Sequence, residues 1–204
     1  MITIINYGVG NLNAFINLYK RVGVEVKIAN TISDLVNVDK IILPGVGHFD
    51  HAMSELNKSG MRERLDELVL KEKVPVMGIC VGMQIMANYS EEGIEKGLGW
   101  IDASVHKFDE SKISYKTKTP HMGWNDVLAL NIDPIFNELD NESIFYFLHS
   151  YYFKCNNGEN ILAQTDYCGE FTSVAKHENI YAVQFHPEKS HSFGEIFLHN
   201  FAKL

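Results

Sequence analysis

The first hundred residues alternate short β-branched runs with longer amphipathic stretches, and this alternation constrains the fold more than any other feature. It is the pattern of βαβ units around a parallel sheet. Strands are predicted near Ile2–Asn6, Val24–Ala29, Lys40–Leu43 and Val74–Ile79. Between them, Asn11–Arg21 sets Leu12, Phe15, Ile16 and Tyr19 on one helical face, and Met61–Lys71 does the same with Met61, Leu65, Leu68 and Val69. After Trp100 the period shortens. Ile101–Phe108, Trp124–Leu128, Ile144–Leu148, Ile161–Thr165, Thr172–His177 and Ile180–Phe185 read as strands of an antiparallel or mixed extension of the same sheet, before His191–Leu204 returns to helical spacing. No repeat or Pro/Ser-rich linker divides the 204 residues, so one domain over 1–204 is expected. The polar stretch Asp109–Thr119 is the expected mobile loop.

Charge and hydropathy exclude several function classes. With 18 Lys and Arg against 26 Asp and Glu, the net charge of −8 opposes nucleic-acid binding. The longest apolar stretch, Val74–Ala87, is broken by Pro75, glycines and Gln84, short of the ~20 residues of a bilayer span. The segment Met1-Ile-Thr-Ile-Ile5 carries no basic leader or cleavage pattern, so a soluble, cytoplasmic protein is expected. The three cysteines, Cys80, Cys155 and Cys168, lack metal or redox spacing and are expected to be reduced.

The strongest local motif is Val74-Pro-Val-Met-Gly78-Ile-Cys80-Val-Gly82-Met-Gln84, a buried strand running into Gly-x-Cys-x-Gly and then a helix. It has the form of a nucleophile elbow, whose flanking glycines allow a cramped turn that exposes the central side chain, with the Val81 N–H beside it. A cysteine at the start of a helix is expected to favour its thiolate. A second motif, Tyr181-Ala-Val-Gln-Phe-His186-Pro-Glu188, ends a strand in a His two residues from a carboxylate. In extended chain such residues face one side ~7 Å apart, so Glu188 can reach the imidazole. Cys, His and Glu then make a nucleophile, a proton shuttle and a tautomer lock. Third, Pro44-Gly-Val46-Gly47 follows a strand and can turn the Val46–Gly47 peptide toward an oxyanion, with Val81 N–H as the other donor. Neither His48 with His51 nor His186 with His191 has recognised metal spacing, and neither a metal nor a cofactor is expected.

Taken together, Gly78-Ile-Cys80-Val-Gly82-Met-Gln84 and Gln184-Phe-His186-Pro-Glu188-Lys-Ser190 resemble the class I, or triad, glutamine amidotransferases. Pro44-Gly-Val-Gly47, Pro120-His-Met-Gly-Trp-Asn125 and Phe147-Leu-His-Ser-Tyr151 resemble the branch that serves as glutaminase subunits of imidazole glycerol phosphate synthases in histidine biosynthesis. Val81 departs from a position where the family more often has Leu, which leaves the backbone donor unchanged. The resemblance implies an α/β, flavodoxin-like fold, with a mostly parallel sheet, helices on both faces and an antiparallel extension. It also implies that Cys80 attacks glutamine, that Gln84, His149, Ser150 and Tyr151 bind or surround it, and that Asn11 and Trp124 lie at a partner interface. The implied partner is a (β/α)₈-barrel cyclase that receives the ammonia, since a glutaminase without an acceptor wastes its product. The same motifs would serve a paralogous glutaminase feeding another synthase, such as one installing an amidino group on a sugar.

Overall fold

The protein is described by a computed structural model that covers residues 1–113, 118–140 and 142–204. In chain order its principal elements are β1 (Ile2–Ile5), α1 (Leu12–Arg21), β2 (Val26–Ala29), β3 (Lys40–Leu43), α2 (Phe49–Lys58), α3 (Arg62–Asp66), β4 (Val76–Ile79) and α4 (Val81–Gln84). There follow β5 (Tyr89–Ser90), β6 (Ala103–Lys107), β7 (His121–Asp126), β8 (Leu128–Ala129), β9 (Ile144–His149), β10 (Tyr151–Cys155), β11 (Ile161–Asp166), β12 (Glu170–His177), β13 (Ile180–Val183) and α5 (His191–Lys203).

An eight-stranded sheet in the order β2-β1-β3-β4-β13-β12-β11-β8 forms the centre. Its first five strands run parallel, and β12, β11 and β8 continue it antiparallel. Every residue of β1, β4 and β13 is buried, because both faces of this part of the sheet are covered and their β-branched runs face core on either side. Helix α1 buries Phe15, Leu18 and Tyr19 and begins at Asn11, whose side chain accepts from the Ala14 N–H. The Met61–Lys71 periodicity is realised as α3 continued by a wider π turn over Glu67–Lys71.

The β-rich second half divides where one extended sheet was expected. Strands β8, β11, β12 and β13 join the central sheet, while β10, β6 and β5 form a separate three-stranded sheet and, among the described residues, β7 pairs with β9 alone. The expected strand Trp124–Leu128 is shifted: β7 spans His121–Asp126, and β8 begins after buried Val127. Helix α2, over Phe49–Lys58, buries Phe49, Ala52, Met53 and Leu56 and was not evident from the glycine-rich segment before it. The expected mobile loop over 109–119 lies partly outside the described residues, at 114–117; before that point Glu110–Lys112 forms a 3-10 turn. Among the described residues no helix is long and apolar enough to cross a membrane.

Candidate active site

Strand β4 runs straight into the elbow. Cys80 takes φ +55° and ψ −112°, a backbone conformation that side-chain-bearing residues rarely adopt, and its N–H is anchored on the Val183 carbonyl at 2.8 Å. The glycines around it admit a close approach. A Cβ on Gly82 would fall on the Leu43 carbonyl oxygen, and one on Gly45 would meet the Gly82 nitrogen. The Pro44–Gly47 turn therefore rests directly on the elbow, and Tyr7 fixes it from behind by donating its hydroxyl to the Pro44 carbonyl at 2.6 Å. Helix α4 is a single turn, too short for a helix macrodipole of the expected size, so the charge facing the sulfur is supplied by a side chain.

That side chain is His186. It follows β13 from the same edge of the sheet, and its N–H is held by the Tyr146 carbonyl at 2.8 Å. Ser190 Oγ donates to the His186 carbonyl at 2.7 Å and accepts from the Tyr146 N–H, clamping the turn to β9. The His186 imidazole donates through Nδ1 to Glu188 Oε1 at 2.8 Å, which leaves Nε2 as the free end. Burial disfavours the imidazolium, but the Cys80 sulfur, through charge and hydrogen bonding, and Glu188 outweigh it and push its pKa up to about 10.

Cys80, His186, Val46, Gly47, Val81, Gln84, His149, Ser150 and Tyr151 all line one cavity of about 280 Å³, the size of a single small ligand. Gly47 adopts φ +90°, a backbone region that glycine enters freely, and nothing lies within 4 Å of where its Cβ would stand. Gln84 donates through Nε2 to the Tyr151 carbonyl at 2.9 Å and to Gln184 Oε1 at 3.1 Å. His149 and Tyr151 thus belong to the wall of the cavity, as does Ser150 at the bend between β9 and β10.

Four further lining residues were given no site role by the sequence, although three of them fall inside its motifs. Glu92 and Lys189 bring charges of opposite sign, and Pro120 and Leu148 bring apolar surface. Gln184, wholly buried just past the end of β13, directs Nε2 at the Cys80 sulfur from 3.9 Å; its signal was its place two residues before His186 in an apolar run. Cys155 and Cys168 stand apart from the cavity lining, and burial raises both thiols, Cys155 to about 11. Asn11 is exposed beyond its capping bond, and Trp124 is exposed and stacked on His191 at 5.1 Å.

The central sheet, with its antiparallel continuation, has the shape of solved glutamine amidotransferases. The structure of a putative GMP synthase component from Thermoplasma acidophilum superposes with a TM-score of 0.72 at 24% identity, covering 99% of this chain and 92% of that one. The PurLQS structure from Thermotoga maritima gives 0.75 at 15% identity, covering 99% and 97%. In sequence, the imidazole glycerol phosphate synthase subunit HisH of Bdellovibrio bacteriovorus is 51% identical over 204 residues, and that of Leptospira interrogans 46%, each covering the whole of both chains. The family model described as glutamine amidotransferase class-I matches residues 3–203, a span that contains both the elbow and the His186–Glu188 turn. The chain is a member of the class-I glutamine amidotransferase family.

Proposed function

We propose that this chain, acting as one domain over 1–204, is the glutaminase subunit of an imidazole glycerol phosphate synthase in the cytoplasm. The observation that carries the chemistry is the meeting of Cys80 and His186 at a single cavity, with Glu188 hydrogen-bonded to His186 behind it. The full-length similarity to HisH subunits carries the choice of pathway.

In the first half-reaction Cys80 Sγ forms a bond to the side-chain carbonyl carbon of glutamine, and His186 holds the thiol proton. The tetrahedral oxyanion is met by the N–H of Val81 and by the Val46–Gly47 peptide once it turns inward. A donor of this kind is worth ~3 kcal/mol of barrier. The C–N bond then breaks as His186 gives its proton to the departing amine, which leaves as ammonia. Water attacks the resulting thioester with His186 as base, glutamate departs, and the proton returns to the Cys80–His186 pair. Throughout, Glu188 keeps Nδ1 protonated and Nε2 facing the sulfur. Glu92 offers its carboxylate to the α-ammonium of glutamine, and Gln84 offers its side-chain oxygen.

The mouth of the cavity favours a covering partner. Val46 and Leu148, both in the lining, are 42% and 37% exposed, and Met122 and Trp124 on neighbouring β7 are 61% and 43% exposed. Such an apolar rim around a site that must retain ammonia suits a docked partner. We assign that role to a (β/α)₈-barrel cyclase, with Trp124 and Asn11 at the contact.

Mixing the chain with a histidine-pathway cyclase and its ribonucleotide substrate tests the reading. Glutamine-driven imidazole glycerol phosphate formation is expected. Glutamine hydrolysis that responds only to a different synthase would overturn the pathway, and absence of hydrolysis in any complex would overturn the chemistry.

A further inference from the structure

A buried chain of polar groups leads from β7 to the sulfur. The Tyr151 carbonyl can only accept, and it takes 2.8 Å and 2.9 Å hydrogen bonds from His149 Nδ1 and Gln84 Nε2. His149 Nδ1 therefore carries a proton. Its Nε2 lies 3.0 Å from His121 Nδ1, and His121 Nε2 lies 3.2 Å from Asn125 Nδ2. The orientation of Asn125 is fixed separately, because its Oδ1 accepts from the Asp126 N–H at 2.9 Å and its Nδ2 also donates to the Asp166 carbonyl at 3.0 Å. Its amide nitrogen must then face His121, so His121 Nε2 accepts and His121 Nδ1 donates. The two ends dictate the same direction through both rings.

Burial keeps the rings neutral, as this arrangement requires. His121 and His149 are 3% and 6% exposed, and burial lowers their pKa values to about 4 and about 3. His121 is stacked between Tyr167 at 4.0 Å and Phe147 at 4.7 Å. The register that opposes His121 to His149 on paired strands brings the rings together.

We propose that His121 and His149, with Asn125 behind them, are positioning residues of the glutamine site. They fix the Tyr151 carbonyl and, through it, the Gln84 and Gln184 amides that face the substrate and the Cys80 sulfur. With Gln84 Nε2 committed to Tyr151 and Gln184, Gln84 Oε1 is the end presented to a ligand, and Gln184 is left with Nε2 toward the sulfur. Breaking the relay frees these amides to turn, which weakens glutamine binding more than it slows the chemistry. The inference rests on the proposed glutaminase reading.

The test is steady-state glutamine hydrolysis by the complex of the full chain with its cyclase, alongside synthesis driven by added ammonium salt. His121→Phe keeps the ring stack and removes both hydrogen bonds; His121→Asn shrinks the ring but leaves an N–H near the position of Nδ1 to donate to His149. The relay predicts that Phe raises KM for glutamine about tenfold with kcat changed less than about threefold, the size of one buried unsatisfied acceptor, and that Asn restores part of the loss. A packing role predicts the reverse order, with Phe near wild type and Asn worse, and that result overturns the inference. Asn125→Ala, at the solvent end, serves if His121→Phe does not fold, and an unchanged KM there is equally adverse. Combined with Gln84→Ala, either variant should add little further rise in KM; full additivity would show that the relay does not act through Gln84. Wild-type complex without glutamine turnover would remove the underlying reading, whereas normal turnover with insensitive variants removes this inference alone. Ammonium-driven synthesis should be unchanged in every variant.

Discussion

Glu188 Oε1 and His186 Nδ1 lie 2.8 Å apart with their side chains only 4% and 3% exposed, so the carboxylate acts on the imidazole with little solvent screening. With Pro187 alone between them, the two side chains meet because the 3-10 turn over Pro187–Lys189 carries the backbone back over the ring. The expected consequence is that Glu188→Gln loses the charge that supports the imidazolium and presents an amide N–H able to enforce the wrong tautomer. Glutamine-dependent kcat should fall about a hundredfold or more, while ammonium-driven synthesis in the complex persists. Equal loss of both activities in a steady-state assay would show that Glu188 is structural.

The pKa of about 10 at His186 has a signed effect on stability. A group whose folded pKa lies above its unfolded value of ~6.5 contributes fully below that pH, and the contribution drains away as pH rises through the folded value. Cys80 provides the leading upward influence, which opposes the loss from burial. Cys80→Ala should therefore lower the His186 pKa and flatten the dependence of stability on pH between about 7 and 10. Chemical denaturation at a series of pH values checks this: wild type should lose stability over that window and the variant should lose less.

Cys80 also holds a strained backbone, at φ +55° and ψ −112°. Strain of this kind costs ~1–3 kcal/mol and is relieved by glycine, offset in part by the greater freedom of the unfolded glycine chain. Cys80→Gly and Cys80→Ala both lose the sulfur and its interaction with His186, so their difference isolates the strain: both should abolish glutamine hydrolysis, and Gly should be more stable than Ala by ~1 kcal/mol, roughly 2–4 °C in melting temperature for a chain of this size. A melting temperature no higher for Gly than for Ala would mean that the strain is smaller than the added freedom of the unfolded glycine chain.

Gly82 and Gly47 distinguish close approach from backbone freedom. Ala at 82 would drive its Cβ into the Leu43 carbonyl, prising the Pro44–Gly47 turn off the elbow, whereas Ala at 47 meets no neighbouring atom and suffers only at φ +90°. Gly82→Ala should cost several kcal/mol in denaturation and lose activity with it. Gly47→Ala should cost ~1 kcal/mol yet reduce kcat for glutamine by tenfold or more, since the peptide that must meet the oxyanion is stiffened.

What the chain discloses before folding depends on how local each feature is. The elbow was legible because Gly78, Cys80 and Gly82 lie within five residues, and His186 with Glu188 because the two are only two positions apart; the contact expected from extended chain is made instead through a 3-10 turn over Pro187–Lys189. Gln184 has the same spacing to His186 but is flanked by Val183 and Phe185 in an apolar run, where a lone amide reads as an ordinary strand residue. The split of the second half into three sheets was not legible: hydrophobic alternation marks a strand without naming its partner, and β7 meets β9 across the seventeen residues 127–143. The His121–His149 contact follows from that register and was hidden with it. Helix α2 was obscured by Pro44–Gly47, since His48 caps it by accepting from the Asp50 N–H directly after the turn.

Trp124 offers the sharpest test of the partner surface. Its ring lies parallel to His191 at an interplanar angle of 8° and is 43% exposed, so it is already ordered before any partner arrives and brings a large area at little entropic cost. Trp124→Ala should leave the fold nearly as stable as wild type, because the exposed ring makes surface contacts with His191 and Tyr146 and lies outside the core, yet weaken cyclase binding by ~2 kcal/mol or more, about thirtyfold in Kd. Isothermal titration against the cyclase measures the second quantity and thermal melting the first. At saturating cyclase the glutaminase rate should return toward the wild-type value, since Trp124 is not in the lining of the cavity; a rate that stays low when every site is filled would mean that this ring also helps to set the catalytic groups.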